Sequence, residues 1–210
     1  MLWRNSRPPL RSPGFIEPCL PTVAKRPPCG PYWVYEIKHD GYRLIVRKSA
    51  DRVRIYTRRG ADWTHRFPRI IEAVRRLKVT SIILDGEGVV CGKDGVSDFN
   101  ALHSQARDAD VFLYAFDILE LDGQDLRRER LETRKDRLAK ALRRVQDGIL
   151  LNEHIEDDGG LVFEHACKLG CEGIVAKRID APYRSGRSKA WIKVKNPKSP
   201  AMMRIEDGTF

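Results

Sequence analysis

A chain of 210 residues that is 41% hydrophobic can fold around a core of its own. It holds no apolar run near the roughly 18 residues a membrane-spanning helix needs. Its basic, proline-containing first eleven residues, with no apolar segment behind them, do not read as a secretory signal. Lys and Arg number 39 against 29 Asp and Glu, a net charge of +10, and the pI is near 9.6. That balance favours polyanionic partners, because neutralising phosphates releases counterions. The expected setting is the cytoplasm, in association with the nucleoid, with no membrane partner.

Residues 1–30 are rich in Pro and Arg and lack periodicity, so they read as an extended lead-in, disordered over 1–13. Strands are expected at 32–38, 42–47 and 53–57, the last two joined by the turn Ser49-Ala50-Asp51. Phe67, Ile70, Ile71, Val74 and Leu77 recur at helical spacing and predict an amphipathic helix over 66–78. A strand over 82–91 follows, then a turn at 92–95 and a short helix capped by Ser97 that reaches Gln105. Residues 111–121 form a long apolar strand ending at Asp122-Gly123. A basic helix is expected at 127–145, a strand at 149–152 and a helix at 159–169 stopped by Gly170. Strands at 173–178 and 190–195 close the pattern, and 201–210 is a tail. Strands that adjoin one another, with helices that do not alternate with them, indicate α+β built on antiparallel sheets.

The five cysteines are odd in number and form no C-x-x-C pair, so reduced structural thiols are expected. The chemistry is concentrated elsewhere. In Glu36-Ile37-Lys38-His39-Asp40-Gly41-Tyr42-Arg43 a strand delivers a lysine to a tight Asp-Gly turn, and an arginine follows. A protonated lysine is a poor nucleophile; desolvation or neighbouring cations can free its amine, and Arg43 could supply such a cation or grip a phosphate. Alone, such a turn would be a surface hairpin. Four more motifs accompany it in order: Asp85-Gly86-Glu87, Phe116-Asp117, Glu172-Gly173-Ile174-Val175-Ala176-Lys177-Arg178 and Trp191-Ile192-Lys193-Val194-Lys195. The last sets two lysines at i and i+2 on one face of an otherwise apolar strand, which is expensive unless an anion sits there.

In order and residue type these motifs resemble the covalent nucleotidyltransferases, comprising ATP-dependent DNA ligases, RNA ligases and mRNA capping enzymes. The ligase domain of bacterial end-joining ligases is the nearest likeness. Phe15-Ile16-Glu17-Pro18, Asp98-Phe99-Asn100-Ala101-Leu102 and Tyr183-Arg184-Ser185-Gly186-Arg187-Ser188 belong to the same resemblance, which covers 14–200. It implies an ATP-grasp-like nucleotidyltransferase fold of antiparallel sheets flanked by helices. It also implies that Lys38 attacks the α-phosphorus of ATP and carries AMP as a phosphoramidate. By the same resemblance Glu36 and Ile37 lie beside the adenine, Arg43 and Arg58 contact ribose or phosphate, and Phe116 stacks on the base. Lys177, Lys193 and Lys195 neutralise phosphate, and Glu87 (near the ribose) and Glu172 hold Mg²⁺ or Mn²⁺. The implied substrate is nicked double-stranded DNA in repair.

Two features depart from the family pattern. Arg58-Arg59-Gly60 stands where the family has Arg-Asn-Gly, and family members continue into an OB domain for which the chain has no counterpart after Lys195. An OB-domain-containing or end-joining partner protein is therefore an expected partner. RNA ligation, GTP-dependent capping and a noncatalytic nucleotide- or DNA-binding remnant stay open as alternatives. The nine Lys and Arg of 127–145 read first as a solvated face and second as a DNA-backbone contact. The five histidines show no ligand spacing and are given no chemistry.

Overall fold

The computed structural model describes residues 14–92, 97–145 and 147–206. The elements run β1 (Cys19–Val23), β2 (Trp33–Lys38), β3 (Tyr42–Ser49), β4 (Arg52–Thr57), α1 (Pro68–Arg75), β5 (Ser81–Val89), α2 (Phe99–His103), β6 (Phe112–Leu121), β7 (Gln124–Asp125), α3 (Leu131–Leu142), β8 (Ile149–Leu151), β9 (His154–Ile155), α4 (Gly159–Lys168), β10 (Gly173–Arg178), β11 (Gly186–Lys195) and α5 (Pro200–Glu206). Two sheets result. One has the order β1-β11-β10-β2-β9 and the other β4-β3-β5-β6-β7, with β8 also paired to β6. Most pairings are antiparallel, as expected, but β1 runs parallel to β11 and β8 parallel to β6.

Side-chain alternation assigns each sheet two faces. In the six-stranded sheet Leu44, Val46, Ile82, Leu84, Leu113, Ala115 and Ile118 pack with Ile70, Val74, Leu138 and Leu142 of α1 and α3. In the five-stranded sheet Tyr35, Ile174, Ala176 and Val194 pack with Val162 and Ala166 of α4. Between the sheets a third cluster joins Cys19, Tyr183 and Trp191 to Ile45, Tyr56, Ile83, Phe116 and Leu119. The helices thus cover the outer faces, and the inner faces meet around this cluster.

Several expectations need correction. The proline-rich lead-in contains β1, an edge strand, where prolines are tolerated. The helix expected over 66–78 starts at Pro68, which needs no N–H at a first helical position. Asp98, not Ser97, caps α2 by accepting from Ala101 N at 3.0 Å. The expected tail is helical over Pro200–Glu206. The expected lead-in at 1–13 lies outside the described residues, as does most of the turn at 92–95. Gly170 does stop α4, at φ +75.

The reading of 127–145 as a solvated face also fails in part. The helix is shorter, and Arg134 and Lys135 are buried. They occupy the i+3 and i+4 slots of the stripe formed by Leu131, Leu138 and Leu142. Arg134 forks onto Asp117 of β6, Nε to Oδ1 at 2.8 Å and Nη2 to Oδ2 at 2.9 Å, and donates to the carbonyls of Glu129 and Ala181. Both side chains of that pair are fully buried. Removing one partner strands the other charge. Arg134→Ala is expected to cost roughly 3–5 kcal/mol of stability, measured by urea denaturation, while Arg137→Ala on the exposed face changes it by less than about 0.5 kcal/mol.

Candidate active site

The Asp-Gly turn is not a hairpin. β2 belongs to one sheet and β3 to the other, so residues 39–41 carry the chain across between them. A Cβ at Gly41 would lie 2.3 Å from the Gly88 carbonyl oxygen, a backbone approach only glycine permits. The crossing leaves Lys38, the last residue of β2, at the seam of the two inner faces. Register places the rest. Glu36 pairs with Val175 and Val175 with Lys193; Lys38 pairs with Gly173 and Gly173 with Lys195. Glu36, Lys38, Val175, Lys177, Trp191, Lys193 and Lys195 therefore share the inner face. From the other sheet Arg43 pairs with Glu87, and Phe116 stands on the neighbouring strand.

A cavity of about 260 Å³ lies between them, lined among others by Glu36, Ile37, Lys38, Arg43, Arg58, Glu87, Phe116, Lys177 and Lys193. Lys195 and Glu172 are not in that lining. Lys195 sits one register step beyond it, and Glu172 lies at its margin in contact with the Lys38 ammonium. The Ile37 side chain packs toward α4, and its carbonyl oxygen accepts from Asn152 Nδ2 at 3.2 Å. Arg58 is exposed at the rim, where a second cavity of about 770 Å³, also lined by Arg43, Arg59 and Glu87, adjoins the first.

At the floor, Lys177 donates to Glu36 Oε2 at 2.6 Å, and Lys135 of α3 stands 2.7 Å from Oε1. Burial works against the Glu36 charge, yet the two ammonium groups hold its carboxyl below the usual range. Burial and Lys135 together bring Lys177 down to about 8, against the pull of Glu36. The wall is built from aromatics and one arginine. Arg43 donates from Nε to Asp85 Oδ1 at 2.5 Å and from Nη2 to Oδ2 at 2.7 Å, and its guanidinium lies 4.3 Å from the Phe116 centroid. Tyr183 donates to the same carboxylate at 2.6 Å and accepts from the Cys19 amide at 2.8 Å. Much of the Arg43 fork is thus engaged in holding the platform around Phe116.

The mouth has the opposite problem. Burial pushes Glu87 up to about 7, with Glu172 and Asp85 adding to the effect and Lys38 and Arg43 opposing it. Lys193 is held below its ordinary value by burial and by the charges of Lys38 and Lys195. Crowded ammonium groups beside a carboxyl that is costly to ionise suit a ligand bringing both anionic and cationic charge.

Residues not singled out from sequence complete the site. Asn152 bridges His39 Nε2, Glu36 and the Ile37 carbonyl. His39, assigned no chemistry, lines the cavity, stacks on Tyr114 at 3.7 Å and is pushed down to about 4 by burial. It is thus neutral at ordinary pH. The signal for Lys135 was present in the sequence: a charge in an apolar helix stripe must have a partner.

The two sheets with a lysine at their seam form a nucleotidyltransferase domain, which the comparisons narrow. The family model of the ATP dependent DNA ligase domain matches residues 24–195. A multifunctional non-homologous end joining protein LigD from Pseudomonas aeruginosa is 40% identical over 187 residues, 87% of this chain and 22% of that protein. A probable DNA ligase from Pseudarthrobacter chlorophenolicus is 36% identical over 172 residues, 76% of this chain and 33% of that protein. The structure of a mycobacterial DNA ligase D complexed with ATP and MES superposes with a TM-score of 0.74 at 33% identity, covering 85% of this chain and 59% of that one. The chain belongs to the ATP-dependent DNA ligase domain family. It spans between about a fifth and a third of the length of these two relatives.

Glu87 supplies a pH prediction. Its folded carboxyl holds a proton up to about 7, whereas an unfolded one releases it near 4.5. The native state binds more protons between those values, so this group lowers stability as pH rises through the window. Glu87→Gln is expected to flatten that slope and to stabilise the protein at pH 8 by on the order of 1–2 kcal/mol, read from thermal melts across pH.

Proposed function

We propose that this domain carries out ATP-dependent self-adenylation at Lys38 as the first step of DNA ligation. The observation that carries the reading is the convergence of Lys38, Lys177, Lys193, Arg58 and Phe116 on one cavity from both sheets. Phe116 and Val175 line the cavity from opposite sheets and offer apolar faces to a purine ring. Lys193 and Arg58 lie toward the mouth, where a triphosphate would place its charge, and Lys195 extends that positive field. The Lys38 amine forms a bond to the α-phosphorus, the bond to the pyrophosphate oxygen breaks, and pyrophosphate departs. Glu172, already in contact with that amine, is the nearest acceptor for its proton. The cations offset charge building on the phosphate and leaving group without reorganising.

Glu87 and Glu172 fit a divalent cation such as Mg²⁺ or Mn²⁺. They are hard oxygen donors that stand on either side of the Lys38 ammonium, Glu172 in direct contact with it. No group of three or more candidate metal-ligating side chains gathers among the described residues. Such an ion would take the rest of its coordination from nucleotide phosphate and water. When bound it supplies Lewis-acid polarisation of phosphate oxygen.

The substrate we assign is nicked duplex DNA. The net charge of +10 suits a phosphate backbone, and the likeness to a non-homologous end joining protein supports a role in DNA repair; the location we assign is the cytoplasm, at the nucleoid. An OB-domain-containing or end-joining partner would help clamp the duplex. With ATP and Mg²⁺, intact-protein mass spectrometry is expected to reveal one adenylate per chain. Lys38→Ala abolishes it and Lys193→Ala slows it roughly 10²-fold. Wild-type protein that acquires no adduct, alone or with an OB-containing ligase fragment, removes the reading. Sealing of a singly nicked duplex by the same preparations tests the later steps.

A further inference from the structure

The outer side of the six-stranded sheet carries a groove of about 920 Å³ that the nucleotide reading leaves unused. One wall is the segment after α1, the other is α3 with the residues just beyond it, and Leu121 at the end of β6 completes it. Six cations line it: Arg76, Lys78, Arg137, Lys140, Arg143 and Arg144. All six are exposed, and among the described residues none of them joins an ion pair. Arg137 reaches only the Gln124 amide oxygen, at 3.4 Å. Exposed arginines elsewhere do find carboxylates, as Arg75 finds Glu72, Arg107 finds Asp110 and Arg130 finds Glu132. The carboxylate in the lining, Asp147, is taken by Arg69, whose Nε donates to it at 2.8 Å. α1 and α3 both end at the groove, and the negative ends of their dipoles offset about one unit of charge between them, far short of six. Among the cations Leu77, Val79, Leu121, Ala141 and Val145 present an apolar strip continuous with the outer core.

We propose that this groove docks an acidic protein segment that also carries apolar side chains. Its carboxylates meet the six cations, and its apolar residues cover the strip between them. A phosphodiester backbone matches the charge but leaves that strip uncovered, whereas an acidic amphipathic peptide matches both. The groove lies apart from the nucleotide cavity. Phe116 faces the inner cluster, whereas Leu121, roughly 17 Å further along β6, packs on the outer core. A segment seated in the groove therefore leaves Lys38 and the cavity mouth open. The proposal does not depend on the nucleotide reading.

The probe is a fluorescein-labelled peptide of about fifteen residues, glutamates with leucine at the helical spacing i, i+3, i+4 and i+7. Its binding is followed by fluorescence anisotropy. A control peptide of equal charge has serine at the leucine positions. Wild type is expected to bind the leucine peptide, and the serine control at least about tenfold more weakly. Charge reversal by Arg137→Glu together with Lys140→Glu weakens the leucine peptide at least about tenfold while the thermal melt stays in place. Val79→Asp weakens it from the opposite wall. Should the charge-reversed protein not fold, Arg137→Gln together with Lys140→Gln takes its place. Wild type that does not bind the leucine peptide, variants that bind it as wild type does, or equal binding of the two peptides overturns the proposal. So does a nick-free DNA duplex whose own affinity falls in the same variants as far as the peptide's, which assigns the groove to phosphate backbones. None of these results bears on Lys38, whose adenylation is tested separately.

Discussion

The site depends on one close backbone approach. Where the chain leaves β2 for β3, Gly41 passes so near the Gly88 carbonyl oxygen that a side chain would collide with it. That contact makes Lys38 the last residue of one sheet and brings it beside the first strand of the other. A second glycine acts similarly on the opposite side of Lys38. Gly173, at φ +141, packs against the Val194 carbonyl and directs Glu172 toward the Lys38 amine. Neither glycine contributes a functional group, yet both fix where Lys38 and Glu172 stand.

Charge accounts for much of the remaining architecture. The inner faces hold Glu36, Asp85 and Asp117 at 1% exposure or less, and each is met by a named cation: Lys135 and Lys177, Arg43, and Arg134. Such pairs add little net stability by themselves, because desolvation offsets much of the attraction. Their effect is geometric. Asp117 anchors α3 to β6 through Arg134, which delivers the adjacent Lys135 to the cavity floor, and Asp85 ties Arg43 and Tyr183 into one frame around Phe116. The mouth differs: among the described residues no side-chain ion pair joins Lys193, Lys195 or Glu87, and only more distant charges act on Lys193 and Glu87.

Much of this was legible in the sequence where period and chemistry agreed. The alternation in residues 190–195 already put Lys193 and Lys195 on one face, and the apolar runs at 82–91 and 111–121 located the central strands. β1 was hidden because its prolines argue against regular structure, and only its place at a sheet edge reconciles the two. The crossing at residues 39–41 was hidden for another reason. An Asp-Gly pair between strands looks the same whether the strands share a sheet or not, since partner choice is a long-range property. Asn152 lies just past β8 and carries no periodic signal, so its role appears only when β2 and α3 are seen around it. Arg134 and Lys135 were readable but outweighed, because seven other basic residues on 127–145 suggested solvent.

Hydrogen bonds among its own members close the frame of Arg43, Asp85, Tyr183 and Cys19. A ring wedged beneath a guanidinium, which is itself locked to a carboxylate, has few rotamers left to surrender. On the nucleotide reading proposed above, an arriving heterocycle meets a stiff surface, and the entropy of docking falls on the small molecule rather than on the protein. Such a surface discriminates by shape and edge chemistry at first contact, without waiting for the receptor to rearrange.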